Sequence, residues 1–179
     1  MALAAGNLPL GMVGLFISGV LSVNMLALGG KADARGAAIF NILTAFLATA
    51  VALHSWLSGG SPLYASQTFL FAFTYWWMGY NLYTGVEDQR AFGWYCLFVA
   101  INVVPFAAFT FRAEAWILGI NWILWGAAWF MFFVLLALRK SEYYRLMVAV
   151  TWTATGVLWF CSLGWLLGWM DFQRFYGFW

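Results

Sequence analysis

The chain has 179 residues, of which 65% are hydrophobic and only 8% are charged. An ordinary soluble domain has about 25% charged residues, so this composition excludes one and places the chain in lipid. The net charge of +2 gives no indication of a nucleic acid partner.

Runs without Lys, Arg, Asp or Glu predict the elements in chain order. A helix needs about 20 mostly apolar residues to cross roughly 30 Å of hydrocarbon. The runs cover residues 1–30, 36–86, 91–111, 115–138 and 146–170. The second run is divided at Ser58–Pro62, where Gly and Pro end a helix and form a turn. Because the runs are continuously apolar, helices are favoured over the alternating strands of a barrel.

Six transmembrane helices are therefore predicted, in one all-α membrane domain over residues 1–179. Their approximate ranges are 8–29, 37–57, 64–84, 92–111, 116–138 and 146–169. Residues 1–30 lack a basic n-region, so we expect a retained first span instead of a cleaved leader.

The basic residues predict the orientation, since Lys and Arg favour cytoplasmic loops. Six of them follow spans one, three and five, and two lie on the opposite side. The six are Lys31, Arg35, Arg90, Arg139, Lys140 and Arg145, and the two are Arg112 and Arg174. Both termini are predicted to lie outside the cytoplasm.

Aromatic residues make up 22% of the chain, with 13 Trp. Indoles normally collect at the membrane interfaces. An interfacial location is therefore predicted for the Trp residues at predicted span ends, which are Trp56, Trp94, Trp116, Trp169 and Trp179.

The fifth span departs from this belt pattern. Trp122, Trp125 and Trp129 are three and four residues apart, so they share one helical face, and two of them lie near the bilayer centre. Each indole N–H at that depth needs a partner in another helix, a water molecule or a solute. The spacing alone leaves pore lining and bundle packing as equal alternatives.

Similar faces are predicted on two other spans. Phe71 and Tyr75 share a face of span three, which Thr68 extends, although an interhelical hydrogen bond would also satisfy the phenol. Span six carries an aromatic and hydroxyl stripe, expected to face inward, of Trp152, Thr155, Trp159 and Ser162. The asparagines within spans, Asn24, Asn41 and Asn102, are more typical of helix joining than of solute contact.

Several function classes are excluded by what the spans lack. Ion carriers and proton relays need ionisable groups at depth, whereas every Asp, Glu, Lys and Arg lies in a predicted loop or tail. The single histidine, His54, is read as a capping or snorkelling residue, which leaves no bis-His haem or multi-His metal site. Cys96 and Cys161 are read as packing residues without a disulfide. No catalytic motif occurs, so neither an enzyme nor a cofactor is predicted.

An uncharged slot of aromatic faces and hydroxyls suits a small planar neutral solute such as an amide, because ions would gain no compensation for lost hydration.

Three segments of the chain are distinctive: residues 70–75 (LFAFTY), followed by Asn81, residues 93–105 (GWYCLFVAINVVP) and residues 121–129 (NWILWGAAW). They resemble the bacterial urea/amide channel family of the UreI and AmiS type. The resemblance implies a hexameric ring in the bacterial inner membrane, each six-helix protomer having its own pore for urea or short-chain amides. It implies pore-lining positions at Phe71, Tyr75, Trp122, Trp125, Trp129, Leu21 and Leu10.

The chain departs from the acid-gated members at several of these positions. Leu118 stands in place of an aromatic pore residue, and Ala128 stands in place of a leucine at a constriction. The membrane-embedded glutamate of the acid-gated members has no counterpart here, and its position falls near Trp152 or Thr153. The histidine-rich outer loops of those members are also missing, so no gating by outer-loop histidines is expected.

The resulting hypothesis is a passive channel for urea or a small amide that supplies a cytoplasmic urease or amidase. The alternatives are a small non-conducting membrane subunit of a larger complex and, less in keeping with the uncharged spans, an ion-coupled transporter. The sequence does not discriminate urea from acetamide.

Overall fold

The computed structural model describes residues 8–58, 61–168 and 170, with side chains from residue 11 onward. Six α-helices and one short 3₁₀ helix lie within them. The α-helices are α1 (Leu8–Leu28), α2 (Ala34–Leu57), α3 (Pro62–Thr84), α4 (Arg90–Arg112), α5 (Trp116–Leu136) and α6 (Tyr144–Leu167), and the 3₁₀ helix is Ser141–Tyr143.

The predicted break in the longest apolar run falls between α2 and α3. Pro62 occupies the first turn of α3, where its missing N–H costs nothing, and the Ser61 hydroxyl accepts a hydrogen bond from the Tyr64 N–H at 3.4 Å. At the other end of α3, Gly85 adopts a left-handed conformation with φ 70° and ends the helix. Local sequence therefore determines both ends of α3.

Among the residues that the structure describes, five stretches are long and apolar enough to cross a membrane: Gly11–Leu28, Ala34–Leu57, Arg90–Arg112, Trp116–Leu136 and Ser141–Leu167. The protein is thus a helical, multi-pass membrane protein. Helix α3 has the length but not the hydropathy, because Gln67, Asn81 and four tyrosines lie within it. A crossing by α3 stays a prediction, as do the outer position of both termini and the hexamer.

Charged side chains within the described helices lie in a first or last turn, as at Arg35, Arg90, Arg112 and Arg145. The remaining described charges lie between helices. The long middle sections of the helices therefore carry no formal charge, as the spans of a membrane protein require.

The chain divides into two compact units, of which residues 19–88 form one. In this unit α2 and α3 pack along each other. A Cβ at Gly79 in α3 would lie 3.3 Å from the Ala38 carbonyl oxygen of α2, so the glycine allows a close approach of the two backbones. The C-terminal part of α1 is joined to α2 through Asn24 and Asn41.

The other unit contains residues 1–18 and 89–179. Helix α5 packs against both α4 and α6. A Cβ at Gly93 in α4 would lie 2.6 Å from the backbone nitrogen of Ala137, directly after α5, and one at Gly126 in α5 would lie 2.8 Å from a methyl group of Val103. Small residues thus bring α4 and α5 together, as is usual between membrane helices.

Candidate functional site

The buried side of α5 carries most of the predicted pore positions in one unit. Leu118, Trp122, Trp125, Ala128 and Trp129 are each at most 8% exposed. The opposite side of the helix exposes large apolar residues, namely Ile117, Ile120, Ile123 and Phe130. The structure therefore collects the three tryptophans on a single inward face.

This buried face has an edge directed toward α4. The ring of Trp122 packs against Phe106 of α4, with centroids 5.3 Å apart. Trp122 also makes an edge-on contact with Trp125 at 5.0 Å and 81°. Such tilted and edge-on pairs are the favoured aromatic geometries, so the rings of Phe106, Trp122 and Trp125 are in continuous contact. The buried face of α5 that carries Trp122, Trp125 and Trp129 is the aromatic wall of this unit.

The other edge of the face is directed toward α6. Asn121 is completely buried, and its Nδ2 donates to the Cys161 Sγ at 3.3 Å. At about 100° per residue, Trp125 lies between the directions of Asn121 and Trp122, and so between the α6 and α4 contacts. Trp125 is therefore central on the inward face of α5. Residue spacing alone did not single out Asn121, although its position four residues before Trp125 places it on nearly the same face of the helix.

The third-span positions belong to the other unit. Phe71 and Tyr75 are buried, at 8% and 2% exposure, and Thr68 is buried on the same face of α3. The Thr68 hydroxyl donates to the Tyr64 carbonyl within its own helix at 3.0 Å. Leu21 in α1 is partly buried, while the side chain of Leu10 lies outside the described residues.

The expected inward stripe of α6 divides between two environments. Thr155 and Ser162 are buried, but Trp152 and Trp159 are 41% and 52% exposed. The prediction that all four face inward is wrong for the two indoles. The reason is that a spacing of three residues rotates a side chain by about 60° around the helix, which here crosses from the buried to the exposed side.

Trp152 and Thr153 lie near the position of the glutamate that the acid-gated members carry. Both side chains are exposed, whereas the predicted pore positions on α5 are buried. Thr153 is exposed, and its hydroxyl donates to the Ala149 carbonyl one turn earlier at 2.9 Å. Neither side chain joins the buried aromatic wall within its unit, and a role for them in a pore stays a prediction.

The asparagines within the spans behave largely as helix-joining residues. Asn24 and Asn41 exchange two hydrogen bonds of 3.0 and 2.6 Å between α1 and α2. Asn102 instead donates to the Phe98 carbonyl of its own helix at 2.8 Å. The helix-joining prediction is confirmed for Asn24 and Asn41, whereas the hydrogen bond of Asn102 lies within its own helix.

The other residues that the sequence singled out are the tryptophans near span ends, His54 and the two cysteines. Trp56, Trp94 and Trp116 are exposed near helix ends, whereas Trp169 and Trp179 lie outside the described residues. His54 is exposed in the last turn of α2. Cys96 and Cys161 are both free thiols and buried. Among the residues that the structure describes, no three His, Cys, Asp or Glu side chains form a group that could hold a metal ion.

The chain is similar in sequence to three described transporters and channels. It is 38% identical over 135 residues to a protein of Mycolicibacterium smegmatis named as an amidate substrates transporter, covering 72% of this chain and 63% of that one. It is 33% identical over 143 residues to the transporter protein AmiS2 of Rhodococcus erythropolis, covering 76% and 68%. It is 28% identical over 158 residues to the acid-activated urea channel of Helicobacter pylori, covering 70% and 80%.

Two solved structures share the fold. The crystal structure of the Helicobacter pylori urea channel gives a TM-score of 0.76 at 24% identity, over 90% of this chain and 99% of that one. The cryo-EM structure of the channel in its closed state gives 0.68 at 24% identity, over 92% and 98%. The family model described as AmiS/UreI family transporter matches residues 10–154. The chain therefore belongs to the AmiS/UreI family of transporters.

Proposed function

We propose that the protein is a passive channel for urea or short-chain aliphatic amides in the bacterial inner membrane. In this proposal each protomer of a hexamer conducts solute along its own path, and the solute supplies a cytoplasmic urease or amidase. Phe71, Tyr75, Trp122, Trp125 and Trp129 line the path, with Leu21, Leu10, Leu118 and Ala128 beside them.

The observation that carries the proposal is the uncharged aromatic wall on the buried side of α5. Three tryptophans are 3–6% exposed there, in helices whose middle sections hold no formal charge. A planar amide can lie against such rings while its polar groups form hydrogen bonds in passing. An ion would lose its hydration shell without compensation, so the wall favours neutral solutes.

The names of the relatives bear on the solute class. Of the proteins described above, the one at 38% identity is named for amidate substrates, whereas the urea channel is at 28%. We therefore place short-chain amides first and urea second among the solutes. Acetamide and urea uptake measured side by side would establish the order.

The experiment is stopped-flow uptake of acetamide into proteoliposomes. Wild-type protein is expected to conduct well above empty liposomes. Trp125→Ala and Tyr75→Ala are each expected to lower the flux about tenfold, which corresponds to about 1.4 kcal/mol in the barrier. Trp125→Phe should retain most of the flux, because a flat ring remains.

Trp159→Ala is the matched control, since it removes an indole that is 52% exposed on α6. It should conduct like wild type. Wild-type flux equal to that of empty liposomes would refute the channel and favour a non-conducting membrane subunit. Flux that follows an imposed ion gradient would indicate a coupled transporter instead.

A further inference from the structure

The α5 helix carries a buried hydrogen-bond acceptor next to its aromatic wall. Asn121 is 0% exposed, and its Nδ2 donates twice, to the Ile117 carbonyl at 2.9 Å and to the Cys161 Sγ at 3.3 Å. Within the part of the chain that the structure describes, its Oδ1 has no donor. The carboxamide is therefore held on its nitrogen side only.

The orientation of this carboxamide is determined by its neighbours. Exchanging its nitrogen and oxygen would place Oδ1 against the Ile117 carbonyl oxygen, and two acceptors would then face each other. The backbone carbonyl thus keeps Nδ2 on the Ile117 side. Oδ1 is left as an acceptor fixed by its surroundings.

A buried acceptor without a donor is costly, because it has lost its hydrogen bonds to water without gaining others. Positions that retain such a group commonly serve a ligand or an internal water. Asn121 directly precedes Trp122 and lies one turn before Trp125, about 40° around the helix from it. The Asn121 side chain consequently leaves the helix at the edge of the same face as the tryptophans.

We infer that Asn121 is a specificity-determining residue whose Oδ1 accepts a hydrogen bond from the N–H of an amide solute at the tryptophan face. This inference rests on the proposed channel function. Aromatic rings bind any flat neutral molecule, whereas an oriented carbonyl oxygen selects solutes that carry N–H donors. One such bond is weak enough to allow release, as conduction requires.

The test is acetamide uptake into proteoliposomes over a concentration series, which separates half-saturation from maximal flux. Asn121→Leu removes the acceptor at similar volume and should raise the half-saturating acetamide concentration about tenfold. Asn121→Ala should give the same direction of change, and it removes the carboxamide without adding atoms should the leucine not be accommodated. Thermal unfolding in detergent reports whether each variant is folded.

Two controls separate solute binding from helix packing. Cys161→Ala removes the sulfur contact but leaves Oδ1, so its half-saturation should stay within about twofold of wild type. Asn102→Leu removes an asparagine that donates to the carbonyl one turn earlier, as Asn121 does, but lies on α4. It should also resemble wild type.

Unchanged half-saturation in a folded Asn121→Leu or Asn121→Ala protein would overturn the inference. So would a Cys161→Ala protein that reproduces their loss, because Asn121 would then serve only to hold α5 on α6. An effect on stability without an effect on half-saturation would indicate a resident water and would also overturn it. The channel proposal itself fails only when wild-type protein does not conduct.

Discussion

At the residue scale, buried carboxamides make specific contacts between helices. Asn24 and Asn41 are 3% and 0% exposed, and each donates to the oxygen of the other. Asn41 also donates to the Ala37 carbonyl at 2.8 Å. Two apolar helices can slide along each other at little cost, whereas this reciprocal pair exists in only one register.

Replacing either member of this pair is expected to destabilise the protein. Asn41→Leu should lower the free energy of unfolding by about 1–2 kcal/mol, because Asn24 loses its partner in an apolar setting. The double variant Asn24→Leu/Asn41→Leu should lose less than the sum of the single variants. Denaturation in mixed detergent measures the free energy of unfolding of the single and double variants.

Asn102→Leu provides the matched control for that measurement. Its carboxamide bonds to the Phe98 carbonyl of its own helix, so its removal should cost less than that of Asn41. Additive losses in the double variant would contradict the pairing of Asn24 with Asn41.

At the element scale, the position of α5 depends on how closely α4 approaches it. The Cβ of an alanine at position 93 would lie 2.6 Å from the Ala137 backbone nitrogen and 2.9 Å from the Ala137 Cβ. Backbone atoms cannot move aside as a flexible side chain can. Gly93 therefore sets the distance between α4 and the C-terminal end of α5.

Gly93→Ala is accordingly expected to destabilise the protein by about 1–3 kcal/mol through overpacking. Gly156→Ala on α6 is the matched control, since a Cβ there would have no neighbour within 4 Å. That change should be neutral or stabilising by up to about 1 kcal/mol, because alanine favours helix over glycine. Thermal unfolding of the two variants in the same detergent compares them, and equal midpoints would refute the close contact.

The elements also show where residue spacing is informative and where it is insufficient. On α5 the spacing of Trp122, Trp125 and Trp129 correctly placed three indoles on one face. On α6 the same reasoning failed for Trp152 and Trp159, because the boundary between buried and exposed sides depends on which helices lie alongside. Spacing establishes relative direction around a helix, but only packing establishes which direction is inward.

At the scale of the whole molecule, the distribution of titratable groups bears on regulation. The chain contains one histidine, His54, and it is exposed in the last turn of α2. A steep acid response by histidine gating needs several groups that titrate together between pH 5 and 8. A single exposed imidazole does not provide them.

For the proposed channel, flux is therefore expected to depend weakly on external acidity. Acetamide uptake into proteoliposomes at external pH 5 should be within about twofold of that at pH 7, for wild type and for His54→Ala. A steep rise on acidification in the His54→Ala protein would contradict this expectation. It would show that groups other than histidine gate the path.

The sequence by itself determined that this is a helical membrane protein with uncharged spans. Charged groups are too costly in hydrocarbon, and the lengths of the uncharged runs between them can be measured directly in the sequence. It also determined the break before α3, through the local chemistry of Ser61 and Pro62. Only the tertiary structure decided that Asn24 pairs with Asn41, that Trp152 and Trp159 of α6 are exposed, and that Asn121 keeps a buried acceptor beside the tryptophans. These features depend on contacts between residues distant in the chain, such as Asn121 and Cys161, and hydrophobic periodicity contains no information about which helices meet.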